Sequence, residues 1–157
     1  MGKKDKGEKM KITLVFCLLG LFFSCISTKE SPESITIEFK IAEVGSAPGL
    51  TKMKVRKIDR KFYLHNEVLL NNEDIKSAEY TLWQDRPGVK LIMTERGKEK
   101  WADITEQNIG KHIGMVLNGE LVSAPLVKAR IDVGLAIIQG IFTEDEARKI
   151  VEGITRK

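Results

Sequence analysis

The chain has 157 residues, and its 26 basic and 22 acidic side chains leave a formal net charge of +4 at pH 7. Five lysines and two acids lie in the first eleven residues, so residues 25–157 hold 21 basic and 20 acidic side chains, a net charge of +1. This near-neutral balance does not indicate a basic surface for nucleic acid, and no nucleic-acid partner is expected.

Residues 1–24 have the pattern of a signal peptide. A lysine-rich start is followed by twelve uncharged residues, from Ile12 to Phe23. A basic segment followed by an apolar one is typical of a secretory signal, and this apolar segment is shorter than the roughly 20 residues that cross a membrane. Because the uncharged run continues to Thr28, an uncleaved membrane anchor is the alternative interpretation.

The end of this leader indicates lipid attachment at Cys25. Residues 21–25 resemble a bacterial lipobox, with the small Ser24 before the cleavage point, although Phe22 stands where a smaller aliphatic residue is usual. The polar residues 25–34 then form a tether. Palmitate or another lipid at Cys25, or an uncleaved helix, would anchor the protein to a membrane. Its domain would lie outside the cytoplasm, on the periplasmic or cell-surface side.

Residues 35–157 form one domain, and its first half is predicted to consist of strands around a short helix. The domain has no cysteine and therefore no disulfide. Alternating apolar and polar residues predict a strand over residues 35–44. Asn71 or Asn72 is placed to cap a short helix that runs to Ser77. The other predicted strands are residues 53–58, 61–64, 78–84 and 89–93, the last two joined by a turn over residues 85–88.

The longest predicted helix covers residues 95–108. Thr94 is its N-cap, and Gly110 ends it in the left-handed conformation. Gly97 falls on the apolar stripe, which indicates close packing on a strand. The amide of Asn108 is expected to bond local backbone at the helix end.

Asn118 and Gly119 predict a tight hairpin between two apolar runs. A two-residue type I′ turn needs positive φ at both positions, and Asn-Gly tolerates this well. Because both faces of the hairpin are largely apolar, we expect it to lie inside the sheet, with Pro125 either ending its second strand or sitting at a bulge. The turn sets a register of Leu117 opposite Glu120, Met115 opposite Val122 and Ile113 opposite Ala124.

A second amphipathic helix begins after Thr143. Thr143 and Glu146 form a capping box, and an apolar stripe follows from Ala147. Tight hairpins indicate antiparallel strands, and helices with one apolar stripe cover one side of a sheet. The predicted fold class is α+β, a mainly antiparallel sheet with two main amphipathic helices packed on one face.

A series of short motifs runs through the domain, at residues 63–65, 69–75, 93–97, 108–111, 116–119, 123–125 and 140–143. In order and spacing they resemble the periplasmic head domain of SecD, the accessory membrane subunit of the bacterial Sec preprotein translocase. The resemblance covers about residues 35–155. Two positions depart from the family pattern: Arg130 replaces a usual Pro, and Val133 replaces the first of two frequent glycines.

The resemblance implies a non-enzymatic domain that engages emerging unfolded preprotein and moves on a hinge. The family's parent protein carries several membrane-spanning helices, and none is expected here after the leader. Such a chain would act passively or through a partner, which the resemblance implies is unfolded polypeptide or a translocase or other envelope protein.

The sequence lacks the usual motifs of catalysis, metal binding and cofactor binding. No C-x-x-C, H-E-x-x-H, G-x-G-x-x-G or phosphate-binding loop is present. Of the two histidines, His65 lies near apolar residues, where a structural role is the more common one, and His112 has no obvious carboxylate in its local sequence. We therefore expect no enzyme, no metal and no cofactor, with a hydrolase built around either histidine as the alternative.

Two surfaces are candidates for binding. One is the hairpin tip Asn118, Gly119 and Glu120, for which plain turn chemistry is the alternative. The other is a basic segment over residues 52–61, for which a solvated strand and loop is the alternative. Its candidate residues are Lys52, Lys54, Arg56 and Lys57. A second functional hypothesis is an envelope lipoprotein that uses the same fold for peptide sequestration, immunity or complex assembly.

Overall fold

The computed structural model describes residues 34–155. The predicted leader, the predicted lipid-attachment site Cys25 and the predicted tether up to residue 33 lie outside the described residues. Within residues 34–155, no helix combines the length and apolar character needed to cross a membrane. The strands are β1 (Ile37–Glu43), β2 (Thr51–Lys54), β3 (Lys61–Leu64), β4 (Leu70–Asn71), β5 (Ile75–Trp83), β6 (Arg86–Met93), β7 (His112–Leu117), β8 (Glu120–Ser123) and β9 (Leu135–Gln139). The helices are α1 (Glu95–Gln107) and α2 (Glu144–Thr155).

The strands divide between two antiparallel sheets. The larger sheet has the order β2-β3-β1-β7-β8, with the short β4 also paired to β1. The smaller sheet has the order β5-β6-β9. The predicted class, α+β with mainly antiparallel strands and two helices, is confirmed. The division into two sheets was not predicted, because it depends on pairing between distant strands.

One main core joins both sheets and both helices. The apolar stripe of α2 contributes Ala147 and Ile150, and α1 contributes Trp101. The indole of Trp101 meets the ring of Phe39 on β1 edge to face, with ring centroids 5.4 Å apart. The helices therefore cover the apolar faces that the strand pattern provides.

A smaller core lies on the opposite face of the larger sheet. It contains Phe62, Leu64 and Leu121, each about 1% exposed. Gly114 leaves room for it, because a Cβ there would lie 3.1 Å from Leu121 and 3.3 Å from Leu64. This second core explains why both faces of the β7–β8 hairpin are apolar.

The hairpin at Asn118 and Gly119 forms as predicted at its tip and differs further down. Both residues have positive φ, 47° and 80°. The pairs Leu117 with Glu120 and Val116 with Leu121 are present. An irregularity between Met115 and Val116 then shifts the register, so that Met115 faces Ser123. The predicted pairings of Met115 with Val122 and of Ile113 with Ala124 are wrong, and the N–H of Ile113 donates to the carbonyl of Pro125 instead. The hairpin was also expected inside the sheet, but β8 is its last strand.

The turn between β5 and β6 is also displaced from its prediction. Gln84 and Asp85 form it, with φ of 50° and 59°. Arg86, Pro87 and Gly88 belong to β6 instead of a four-residue turn. Pro87 is tolerated because pairing with β9 begins only at Gly88. The strong Pro-Gly turn signal was misleading here.

The helical segment that begins at residue 72 is shorter than predicted. Asn71 caps a single 3-10 turn over Asn72–Asp74, and β5 begins at once with Ile75. The predicted helix to Ser77 is therefore wrong, although its cap is confirmed. Gly97 packs closely as expected, but against the backbone of Asp74 instead of a strand.

Candidate functional site

An apolar cleft of about 430 Å³ lies beside the β9 edge of the smaller sheet. Its floor includes Trp101, Ile113 and Met115 from the main core. One wall is β9 and the other is the segment over residues 125–131. Clefts of a few hundred Å³ with mainly apolar linings are typical ligand sites.

The wall over residues 125–131 is fixed to its surroundings by hydrogen bonds. Val127 donates its N–H to the carbonyl of Lys111 at 2.8 Å and accepts from the N–H of Gly110 at 2.9 Å. The N–H of Ile131 donates to the hydroxyl of Thr105, a fully buried residue of α1, at 2.9 Å. The wall is therefore anchored at both ends, and the cleft is a built feature of the fold.

The β9 strand presents an open edge to this cleft. The indole N–H of Trp101 donates to the carbonyl of Leu135 at 3.1 Å, so that carbonyl faces away from β6. Backbone groups alternate in direction along a strand, so those of Ile137 and Gln139 face away from β6 as well. Within residues 34–155, these outward groups of Ile137 and Gln139 have no backbone hydrogen-bond partner. An unpaired edge of this kind can accept another strand.

A second cleft, of about 310 Å³, continues from the end of β9. It shares Trp83, Pro125 and Gln139 with the apolar cleft. Its lining adds the half-exposed Ile141 and two arginines, Arg60 and Arg86. We call this second space the arginine cleft. Together the two clefts form one groove along β9, apolar at one end and cationic at the other.

The candidate binding residues of the hairpin tip make contacts within the fold. The side-chain oxygen of Asn118 accepts the N–H of Thr36 at 2.8 Å and its hydroxyl at 3.0 Å. Glu120 lies 3.6 Å from Arg56. These contacts favour the turn-chemistry alternative for Asn118, while Gly119 supplies the left-handed φ that the turn needs.

Three of the four candidate residues of the basic segment pair with acids. Arg56 and Lys57 both contact Glu146, at 2.7 and 2.9 Å. Hydrogen bonds from Lys57 and from the backbone N–H of Thr143 lower the pKa of Glu146 from 4.5 to about 2. Lys54 pairs with Asp59 at 3.1 Å and thereby lowers the pKa of that carboxyl.

Of the predicted basic residues, Lys52 alone makes no ion pair within the described part of the chain. Lys52 lies on β2, an edge strand of the larger sheet, and pairs there with Tyr63 of β3. A lysine there deters pairing with other strands. The structure thus brings Arg56, Lys57 and Glu120 together, and leaves Lys52 and Lys54 on a separate edge.

The two histidines make different contacts. His65 lies 3.4 Å from Glu43 at the surface. The Nδ1 of His112 lies 2.8 Å from the carbonyl of Ala124, and its ring packs on Phe62. Among residues 34–155, no cluster of His, Cys, Asp and Glu has the arrangement of a metal site.

Most groove residues were not identified from the sequence, although Arg60 lies within the predicted basic segment. Trp83 was assigned to a predicted strand, yet it is 44% exposed, and Leu135 is 38% exposed. Leu126, on the opposite wall, is 45% exposed. A sequence signal existed in the apolar residues of the linker after Pro125, but their clustering with Trp83 depends on the packing of two sheets.

Comparisons with known proteins agree with this fold. Residues 50–153 match the family model of the SecDF P1 head subdomain. The SecDF protein translocase subunit of Thermus thermophilus is 37% identical over 83 residues, which cover 52% of this chain and 11% of the relative. The SecD subunit of Dictyoglomus turgidum is 35% identical over 85 residues, covering 54% of this chain and 21% of the relative. The chain thus spans a small part of the length of these relatives.

Solved structures show the same likeness. A crystal structure of SecDF in a super-membrane-facing form has a TM-score of 0.66 and 25% identity, covering 79% of this chain and 19% of that chain. A structure of SecDF, a membrane component that enhances protein export, has a TM-score of 0.64 and 24% identity, covering 79% of this chain and 63% of that one. With most of residues 35–155 matched in sequence or fold, the chain belongs to the SecDF P1 head subdomain family.

Proposed function

We propose that this protein is a membrane-anchored, extracytoplasmic accessory of protein export that binds unfolded or extended polypeptide without catalysis. Family membership supports the link to export, since the relatives in Thermus thermophilus and Dictyoglomus turgidum are protein translocase subunits. A translocase protein is accordingly the partner that we propose for it in the envelope.

The observation that carries the binding role is the open edge of β9 beside the apolar cleft. An extended peptide that adds to a sheet edge gains main-chain hydrogen bonds, and neighbouring pockets take its alternate side chains. Here the outward backbone groups of Ile137 and Gln139 are available for the main-chain hydrogen bonds. The cleft floored by Trp101 and Met115 is a pocket for the side chains. Both requirements of this recognition mode meet along one strand.

Lipid attachment at Cys25 is the anchoring part of the proposal. Fully extended, the tether to residue 34 spans about 30 Å, which would keep the domain close to the membrane surface. Labelling with palmitate in cells should occur on the native chain and disappear in Cys25→Ser. A labelled Cys25→Ser chain, or an unlabelled native chain found in the cytosol, would contradict this part.

Peptide binding is tested by changing one backbone N–H. The full chain, in mild detergent, is titrated into a fluorescent, unfolded apolar peptide, and binding is measured by anisotropy. Ile137→Pro removes an outward N–H that does not bond β6, so it should abolish binding. Ile137→Val keeps the N–H and serves as the control. Equal affinity of the two variants would contradict edge addition, and no binding by the native chain would contradict the function.

Crosslinking in intact cells separates the export role from the alternative of an envelope lipoprotein with another task. A photoreactive residue at position 126, on the wall of the groove, should capture translocase subunits or exported chains. Exclusive capture of other envelope proteins would favour peptide sequestration, immunity or complex assembly.

A further inference from the structure

We propose that the arginine cleft selects acidic residues, so that the preferred guest is an extended polypeptide whose apolar run is flanked by Asp or Glu. This inference rests on the proposed peptide-binding function and assigns the class of segment that the groove takes. Arg60 and Arg86 are the residues that would contact the guest carboxylates.

The distribution of arginine partners carries the inference. Residues 34–155 contain six arginines. Four of them lie within ion-pair distance of acids, namely Arg56, Arg96, Arg130 and Arg148. Within the described part of the chain, Arg60 and Arg86 make no ion pair, and both line the same cleft. Four arginines are thus paired with acids of the fold, whereas the guanidinium groups of Arg60 and Arg86 remain available in the arginine cleft.

The surroundings of these two arginines suit a peptide. They come from different parts of the fold, Arg60 from the loop before β3 and Arg86 from the start of β6. Arg60 is oriented over the ring of Phe62, 4.8 Å from its centroid. Trp83 and Ile141, 44% and 49% exposed, provide apolar contact in the same cleft.

The acidic residues that precede Arg60 and Arg86 in the sequence do not form ion pairs with them. Asp59 precedes Arg60 but pairs with Lys54 at 3.1 Å. Asp85 precedes Arg86 in the turn and does not line the cleft. The lining therefore has a positive charge that no described side chain offsets, and guanidinium groups recognise carboxylates by paired hydrogen bonds.

The position of the cleft completes the geometry. β9 runs along the apolar cleft and ends at Gln139, which also lines the arginine cleft. A strand added to β9 therefore continues past Trp83 into the cationic end. An apolar run would fill the first cleft, and a carboxylate next to that run would reach Arg60 or Arg86.

The test compares three labelled peptides with one apolar core, flanked by glutamates, glutamines or lysines. The full chain in mild detergent is titrated with each at low and high salt. Because exposed ion pairs contribute modestly, the glutamate peptide should bind about three- to tenfold tighter than the glutamine peptide at low salt. The preference should largely disappear at about 1 M salt, where the screening length is about 3 Å.

Charge-altered variants assign the preference to these residues. In the double variant R60E/R86E the preference should reverse toward the lysine peptide. The double variant R60K/R86K should keep part of the preference for the glutamate peptide, measured in each variant as the ratio of its affinity to that of the glutamine peptide. Thermal unfolding of each variant verifies that it folds.

Each other result has a defined meaning. Equal binding of all three peptides would overturn the acidic preference and leave the peptide-binding function standing. No binding of any peptide would overturn both. If R60E/R86E instead lost only its binding to anionic lipid vesicles, with peptide binding unchanged, the arginines would serve a membrane surface and the inference would be wrong.

Discussion

Gly97, in the first turn of α1, lies directly on the backbone of Asp74. A Cβ at residue 97 would overlap the Asp74 carbonyl oxygen and come within 3.0 Å of its carbonyl carbon. The same carbonyl oxygen accepts the N–H of Thr94, the N-cap of α1, at 2.9 Å. The start of α1 and the 3-10 turn before β5 are therefore locked by backbone contact.

Gly97→Ala should strongly destabilise the protein, because backbone on both sides must move to admit the methyl group. We expect a loss of about 2–4 kcal/mol in the free energy of unfolding, at the upper end for overpacking. Denaturant unfolding of the full chain measures it. Gly45→Ala is the matched control, since a Cβ there has no neighbour within 4 Å. Equal stability of the two variants would contradict the close contact.

Glu146 should make stability depend on pH in the acidic range. Its pKa is lowered from 4.5 to about 2 by Lys57, the Thr143 N–H and Arg56. A lowered folded-state pKa means that its stabilising effect is complete above pH 4.5 and is lost as the pH falls toward 2. Glu146→Gln should therefore cost about 1 kcal/mol at neutral pH, with the difference from native shrinking toward pH 2.

A neighbouring acid provides the comparison for this prediction. Glu144 in the same helix turn pairs with Arg148 at the surface, at 2.6 Å. Glu144→Gln should cost only about 0.3–0.5 kcal/mol, as expected for an exposed pair. A Glu146→Gln penalty that is the same at every pH would show that the contacts to Arg56 and Lys57 do not depend on its charge.

Asn118 should matter for stability and not for binding. Its side-chain oxygen accepts two hydrogen bonds from Thr36, and its φ is 47°. Asn118→Gly keeps the turn conformation but removes those bonds, so we expect a loss of about 1 kcal/mol in stability. Peptide affinity should be unchanged. A drop in affinity with unchanged stability would restore the hairpin tip as a binding surface.

Thr105 should hold the wall of the apolar cleft. Its hydroxyl accepts the N–H of Ile131 at 2.9 Å in a fully buried position. Thr105→Val has nearly the same shape but leaves that N–H unpaired, at a cost of about 1–3 kcal/mol. Both stability and peptide affinity should fall. Thr155→Val, which loses only a bond to its own helix, should leave affinity unchanged.

Features set by neighbouring residues could be predicted from the sequence. Thr94 caps α1, and Thr143 with Glu146 forms the capping box of α2, because such caps need only residues three apart. The left-handed Gly110 and the local bond of Asn108 to Ile104 follow from the same short-range chemistry.

Features set by distant contacts could not be predicted. The irregularity at Met115 and the edge position of β8 depend on how the larger sheet packs against its second core. Likewise, Gln84 and Asp85 take the turn because strand pairing continues through Pro87. The groove forms from residues more than forty positions apart, such as Trp83 and Leu135, which no local pattern connects.

The pairing of Arg56 with Glu146 shows the same limit for the basic segment. The sequence alone predicts that the cations of residues 52–61 form one surface. In the fold, α2 brings Glu146 to Arg56 and Lys57, which are ninety and eighty-nine positions away. Of the two cations that remain available at a cleft, Arg60 lies within the predicted basic segment, whereas Arg86 was not among the predicted binding residues.

Amide hydrogen exchange of the full chain, with and without an unfolded apolar peptide, tests edge binding most directly. Strand addition to β9 predicts that the outward-facing amides of Ile137 and Gln139 become protected from exchange when peptide is added. Lys52 lies on β2, an edge strand of the larger sheet. Its amide should exchange at the same rate with and without peptide. Unchanged exchange at Ile137 and Gln139 under saturating peptide would contradict the account.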